Sequence, residues 1–308
     1  MKKFGSSIDK KNLRILFIGS AESSRLLLKK CISLKLNIVG VCTKKNSENS
    51  DFVDLKKSIK NKKIDFKYTK KINSPSVFTW IKNKSPNLIF CFGWSEILKK
   101  KIINLPSIAT VGFHPTKLPR NRGKHPIIWS LALGLKRTAS SFFLIKNEKV
   151  DSGKVISQKQ VVISNEDNAA SLYKKIMRTA IIQLEQIIRN FKKNKIRIIN
   201  TNSKSNYWRR RYYSDGKIDW RMTAFSINNL IKALDKPYPY AHFFFKGKEI
   251  KVMKSNLISK KTPRKYDNFV PGNIILKNKS FFDVRCGSGI IRILKTNKKI
   301  NLKKTNYL

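Results

Sequence analysis

At 308 residues the chain is long enough for one large domain or two modest ones, and 67 Lys and Arg against 18 Asp and Glu give it a formal charge of +49. Its four cysteines, none in a CxxC spacing, exclude a disulfide framework and a zinc-ribbon arrangement, and no apolar run reaches the roughly 18 residues that a membrane span needs. Clustered cations suggest a polyanionic partner, but here the lysines are scattered among many Asn and Ile residues, the pattern that drift of coding DNA toward A and T also leaves.

Residues 13–19 (LRILFIG) form a short apolar run ending in Gly, residues 22–34 carry Leu27, Cys31 and Leu34 at helical spacing, and residues 37–43 (NIVGVCT) are apolar again. Strand, helix and strand in this order read as a βαβ unit with parallel strands, which puts Gly19 and Ser20 at the mouth of any crevice. Without a GxGxxG run this glycine does not indicate a dinucleotide. Residues 44–73 are polar, with a strand expected near 66–68. A helix is expected over 77–84 and further strands over 87–92 (NLIFCF) and 108–113. His114 then stands where a parallel strand delivers its last side chain, the place where open α/β sheets hold their ligands.

A Pro, Arg and Gly-rich loop follows at 118–123, and Pro126 can start a short helix. Strands are expected over 138–145 and 154–163, joined by the polar turn Asp151-Ser152-Gly153. Asp167 is the expected cap of a long helix running to about residue 191, with Leu172, Ile176, Ala180 and Leu184 on one stripe. Residues 194–206 have linker composition. Beyond them Asp215-Gly216 signals a turn, Thr223 can cap a helix to Leu234, and strands are expected over 242–245, 249–253, 273–275, 281–285 and 289–294. The expected fold class is α/β: a Rossmann-like, mostly parallel sheet over 11–205, followed by a smaller β-rich, open-barrel or OB-like domain over 206–308. Cys31, Cys42, Cys91 and Cys286 read as reduced thiols, three of them within apolar runs, and a cytoplasmic location is expected.

His114 and Asp151 are a base and its orienting partner if the fold brings them together. Together with the LPRNRG loop, Pro126 and Trp129, the Asp151-Ser152-Gly153 turn, residues 215–220 (DGKIDW), Lys236-Pro237-Tyr238-Pro239 and Pro271-Gly272, they make the chain resemble the folate-dependent formyltransferases. This family contains the sugar-nucleotide N-formyltransferases and methionyl-tRNA formyltransferase, and the resemblance covers about residues 12–300.

The resemblance implies transfer of a formyl group from 10-formyltetrahydrofolate, a co-substrate, to a primary amine. It implies that His114 takes the amine proton or donates to the oxyanion, that Asp151 fixes its tautomer and favours the imidazolium, and that Phe92, Gly93, Trp94 and Ser95 form the folate-facing loop. No metal is implied. One departure stands out: family members usually carry an Asn two residues before the His, and here that position is Gly112. A backbone N–H near His114, the His125 ring or Asn121 are the replacements to consider, while Arg120 and Arg122 either brace the loop or bind a phosphate. His125 can equally be a packing residue, Trp94 a core residue and His242 a structural one.

For the amine, a nucleotide-linked amino sugar is the expected partner, because the segment after the second strand (residues 43–51) lacks the basic Pro-Asp-Arg and Gly-Arg-Gly insertion of methionyl-tRNA formyltransferase. Initiator tRNA is the alternative that the charge favours. A non-catalytic folate-binding protein is the alternative of another class, and a homodimer is kept among the expected assemblies.

Overall fold

The structure, a computed structural model, describes residues 12–201, 203–301 and 307–308. The chain forms two units. One contains everything up to Gly123, residues 138–161 and residues 175–207, and the other contains residues 124–137, 162–174 and everything from Trp208 on.

The first unit is organised by β1 (Ile15–Ile18), whose four residues are all buried, as a strand covered on both faces requires. It continues through α1 (Glu22–Ser33), β2 (Ile38–Thr43), α2 (Lys56–Ile59), β3 (Phe66–Tyr68), α3 (Pro75–Asn83), β4 (Leu88–Cys91), α4 (Lys100–Ile103) and β5 (Ala109–His114). Along the chain, the two-residue β6 (Arg122–Gly123) and then α5 (Pro126–Ala132), which belongs to the second unit, precede β7 (Arg137–Leu144), β8 (Lys154–Val162), α6 (Ala169–Lys192) and β9 (Tyr207–Trp208). The sheet order is β3-β2-β1-β4-β5-β7-β8. β1 runs parallel to both β2 and β4, β4 runs parallel to β5, and β7 lies antiparallel on β5. The chain steps from β1 outward to β3 and then returns to the other side of β1 with β4. The carboxyl ends of β1 and β4 therefore flank a topological switch point, where such sheets leave a crevice.

Strand alternation divides the core. Leu16, Ile18 and Ile89 point into one aliphatic cluster with Ile72, Val77, Ile81 and Ile102. Phe17, Phe90 and Phe92 point to the other face, where Phe92 meets Phe17 and Phe142 edge-on at 5.5 Å and stacks on Phe90 at 5.1 Å. Leu172, Ile176, Ala180 and Leu184 of α6 are buried, as the stripe predicts.

The cap of α6 is one residue later than expected. Asn168 Oδ1 accepts from the Ser171 N–H at 2.9 Å, and Ser171 Oγ accepts from the Asn168 N–H at 3.0 Å, a reciprocal cap. Asp167 turns its carboxylate to the Ser164 N–H and the Ser171 hydroxyl instead.

The second unit contains α5 and α7 (Ala224–Ala233), the latter capped by Thr223, whose hydroxyl accepts from the Ser226 N–H at 3.0 Å. Its antiparallel sheet is made of β10 (Ala241–Phe245), β11 (Lys248–Ser259), β12 (Ile274–Lys277), β13 (Phe282–Arg285) and β14 (Ile290–Thr296), in the order β10-β11-β14-β13-β12. Its edges are β10 and β12, so among the described residues it is an open sheet. α7 packs on α5 and on β11 and β14. No described helix is long and apolar enough to cross a membrane.

Candidate active site

β5 ends on His114, which is 5% exposed and pairs in register with Ser141 of β7. Its ring is held at both nitrogens. Nε2 lies 2.9 Å from the backbone carbonyl of Asn121, and Nδ1 lies 3.4 Å from Asp151 Oδ2. A carbonyl only accepts, so in this arrangement Nε2 carries a proton. Nδ1 then faces the carboxylate slightly beyond ordinary hydrogen-bond range. It is the nitrogen free to take up a proton, and the imidazolium so formed would have a carboxylate beside it. The tautomer is thus set by the Asn121 carbonyl, whereas the resemblance would give that task to Asp151.

Asp151 sits in the connection between β7 and β8 at φ 45°, a conformation that short polar side chains tolerate better than most. Its Oδ2 also accepts from the Gly123 N–H at 3.0 Å, which ties the turn to the end of the LPRNRG loop. Burial pushes the thiol of nearby Cys91, the last residue of β4, up to about 12, and the charge of Asp151 acts in the same direction. The carboxyl ends of β4 and β5 and the turn after β7 thus converge on one spot.

The loop is supported by a buried polar network that the residue types alone did not reveal. Thr116 is fully buried, and its hydroxyl lies 3.3 Å from the Arg120 carbonyl and 3.1 Å from the Asn121 carbonyl. Ser141 donates to the Thr116 carbonyl at 2.5 Å, and the Gln158 amide donates to the Leu118 carbonyl and to Ser141 Oγ, both at 3.0 Å.

A second support comes from the stretch read as linker. Asn206 Oδ1 accepts from the Asn121 N–H at 2.8 Å, its Nδ2 donates to Asn121 Oδ1 at 3.2 Å, and its carbonyl accepts from the Arg122 N–H at 3.1 Å. Arg122 donates to the Tyr207 hydroxyl at 3.1 Å and lies 5.7 Å from that ring. Arg122 and the Asn121 side chain are therefore engaged in bracing the loop, while Arg120 is exposed. The side-chain contacts among them span 85 residues, and no local pattern signals them.

Gly112 is buried in β5 directly opposite Phe143 of β7. A Cβ at this position would lie 2.5 Å from Phe143 Cζ and 2.9 and 3.0 Å from its Cε atoms. The aromatic ring thus fills the volume that a side chain at 112 would need, and this close approach is a physical reason for a glycine in mid-strand. The ring is packed by Leu118, Val155 and Ile145.

At the mouth of β4, Phe92 is core. Its carbonyl accepts from Ser24 Oγ at 2.5 Å, and Gly93 follows at φ 64° with its carbonyl on the Ser20 N–H at 3.3 Å. Lys44 lies over the Trp94 ring at 5.0 Å and donates to Ser95 Oγ at 3.1 Å. The Trp94 indole Nε1 is buried with no partner among the described residues. His125 belongs to the second unit, as the residue that opens α5 at φ 54°. Burial, and then the charges of Arg210, Lys124 and Arg211, hold its ring below the ordinary histidine range. His242, also in the second unit, stacks on Tyr213 with ring centroids 4.4 Å apart.

A family profile described as "Formyl transferase" matches residues 13–188, and one described as "Formyl transferase, C-terminal domain" matches residues 212–307. The chain is 32% identical over 274 residues to the bifunctional polymyxin resistance protein ArnA of Wigglesworthia glossinidia brevipalpis. That match covers 87% of this chain and 42% of the relative, so the chain spans less than half of its length. With the methionyl-tRNA formyltransferase of Caldanaerobacter subterraneus subsp. tengcongensis the identity is 26% over 289 residues, covering 92% of this chain and 91% of the relative. Among solved structures, the N-formyltransferase from Helicobacter canadensis, in complex with folinic acid and dTDP-3-aminofucose, shares the fold. Its TM-score is 0.69 at 18% identity, over 92% of this chain and 99% of that one.

Proposed function

This chain belongs to the formyl transferase family, and on that premise we propose that it transfers a formyl group from 10-formyltetrahydrofolate to the primary amine of an amino-sugar nucleotide. The observation that carries the reading is the His114–Asp151 pair, 3.4 Å apart at the carboxyl edge of the sheet, with the second ring nitrogen held by the Asn121 carbonyl.

Bound, 10-formyltetrahydrofolate supplies the formyl carbon and releases its N10 as the leaving nitrogen. The mouth of β4 suits such a group: the buried Trp94 indole N–H is an unmet donor among the described residues. His114 Nδ1 accepts the proton that the amine sheds as it becomes an amide and gives it up to the departing nitrogen, so the transfer takes up and releases no net proton. Asp151 stabilises the resulting imidazolium, and Nε2–H stays on the Asn121 carbonyl so that the ring does not turn. A positioned base of this kind is worth about two to four orders of magnitude in rate.

The amino-sugar reading is supported by residues 43–51, which lack a basic insertion, and by the dTDP-3-aminofucose complex of the structurally similar enzyme. A second reading, formylation of methionyl-tRNA, is supported by the relative matched over 91% of its length and by the charge of +49. A transfer assay against a panel of amino-sugar nucleotides and charged initiator tRNA, with His114→Ala as the inactive control, decides between them. Turnover of tRNA alone, with an affinity that falls steeply as salt rises, would replace the first reading by the second.

A further inference from the structure

The antiparallel sheet of the second unit has a notch that the chemistry at His114 leaves unused. β13 begins at Phe282, opposite Ile293 of β14, whereas β14 runs on to Thr296. On its other side β14 stays paired with β11 out to Thr296, which lies opposite Val252. Residues 294–296 therefore have a strand on one side only. The chain that would flank them on the other side departs through the turn at 278–281, where the Asn278 N–H donates to the Phe281 carbonyl at 3.0 Å. A groove of about 680 Å³ lies between this turn and the end of β14. Lys277, Lys279, Lys295 and Lys299 line it together with apolar side chains that include Phe281 and Leu294, and no Asp or Glu does.

Lysines alone suit any polyanion, but the rest of the groove discriminates between them. The Arg292 guanidinium lies 3.6 Å from the Phe281 ring centroid, so a face on which a nucleic-acid base would stack is covered. Arg292 is itself held by Asp283, Nε donating to Oδ1 at 2.8 Å and Nη2 to Oδ2 at 2.9 Å, so its fork is already spent and does not present itself to a phosphate. What the groove does offer is an open backbone edge, apolar surface and ammonium groups. Unpaired strand edges are templates for another extended chain, and only a polypeptide uses all three features at once. Leu294 and Lys295 stand on opposite faces of β14, because successive strand residues alternate. A strand laid beside them that alternates apolar and acidic residues would set the first kind against Leu294 and the second against Lys295.

We infer that this groove is the docking site for an extended acidic segment of a partner protein, in which Glu or Asp alternates with apolar residues and which adds to the free stretch of β14 as a short strand. Three residues of strand span about 10 Å, enough to hold the middle of a peptide of about six residues. The docking site uses no residue of the His114 chemistry and is independent of which amine is formylated.

The test is fluorescence anisotropy of a dye-labelled, end-capped hexapeptide of alternating Glu and Val, titrated with the full chain. It is expected to bind and to slow hydrogen exchange at the amides of residues 294–296. A permuted hexapeptide, three Glu followed by three Val, carries the same charge and should bind about tenfold more weakly, since it cannot match both faces of the strand. Lys279→Glu with Lys295→Glu, both exposed, should weaken the alternating peptide by about tenfold or more. Lys246→Glu with Lys248→Glu makes the same charge change at the exposed turn between β10 and β11, and screening should keep its effect within about twofold. Melting curves of both double variants should match wild type, as substitutions at exposed positions do.

The docking site is overturned if the alternating peptide does not bind, if the permuted peptide binds as tightly, or if the two double variants weaken binding alike. Binding without protection of residues 294–296 also overturns it, as does tighter binding of a six-nucleotide oligouridylate that competes with the peptide.

Discussion

Replacing Gly112 by Asn tests the packing in β5 beneath His114. The new Cβ would fall 2.5 Å from Phe143 Cζ, closer than real Cβ contacts come, and the ring cannot yield freely. Leu118, Val155 and Ile145 enclose it, and a Cβ at Gly153 would also meet it at 2.8 Å. Overpacking of this kind costs about 1–3 kcal/mol. Phe143→Ala alone should cost about 3–5 kcal/mol through the cavity it leaves. In the double variant the amide enters vacated space, so Gly112→Asn should cost almost nothing on that background, a coupling of about 1–3 kcal/mol. Urea midpoints of the four proteins, with unchanged slopes, measure the cycle. A Gly112→Asn protein as stable as wild type, or two costs that simply add, would refute the claim that Phe143 occupies the side-chain volume of position 112.

Four further outcomes are expected. Asn206→Ala removes both side-chain hydrogen bonds on Asn121 and loosens the carbonyl that holds Nε2, so formyl transfer should slow by about tenfold or more in a steady-state assay, as misplaced catalytic groups do. Thr116→Val deletes the hydroxyl that bonds the same carbonyl and should lower stability by about 1 kcal/mol in urea melts, with Thr116→Ser restoring it. Burial pushes the thiols of Cys31, Cys42, Cys91 and Cys286 up to about 12, so iodoacetamide should leave all four unmodified in the native protein at mildly alkaline pH and modify them rapidly in urea. The Arg209 fork holds the Asp215 carboxyl well below the usual carboxylate range. In acid the unfolded chain therefore takes up a proton that the folded one refuses, and the stability this pair gives above about pH 4 is lost as pH falls further. Melting curves of wild type and Asp215→Asn should accordingly converge toward low pH.

What could be read from the sequence followed from local periodicity. The runs ILFI, IVGVCT and LIFC are apolar on both faces because parallel central strands are covered on both faces, and they became β1, β2 and β4. Thr223 caps α7 because the cap bond closes within three residues, whereas the choice between Asp167 and Asn168 at α6 turned on a side-chain geometry that two adjacent cap-forming residues do not reveal. His114 and Asp151 could be paired only through the whole family pattern. The bond from Asn206 to Asn121, the Phe143 ring against Gly112 and the hold of the Asn121 carbonyl on Nε2 are long-range or backbone contacts, and no spacing rule announces them.

Single-turnover formyl transfer measured for wild type, His114→Ala and Asp151→Asn tests the central claim most directly. The account predicts that His114→Ala falls by about two to four orders of magnitude and that Asp151→Asn falls substantially while still binding the folate. Full activity in His114→Ala, or an Asp151→Asn enzyme with the wild-type rate, would contradict it.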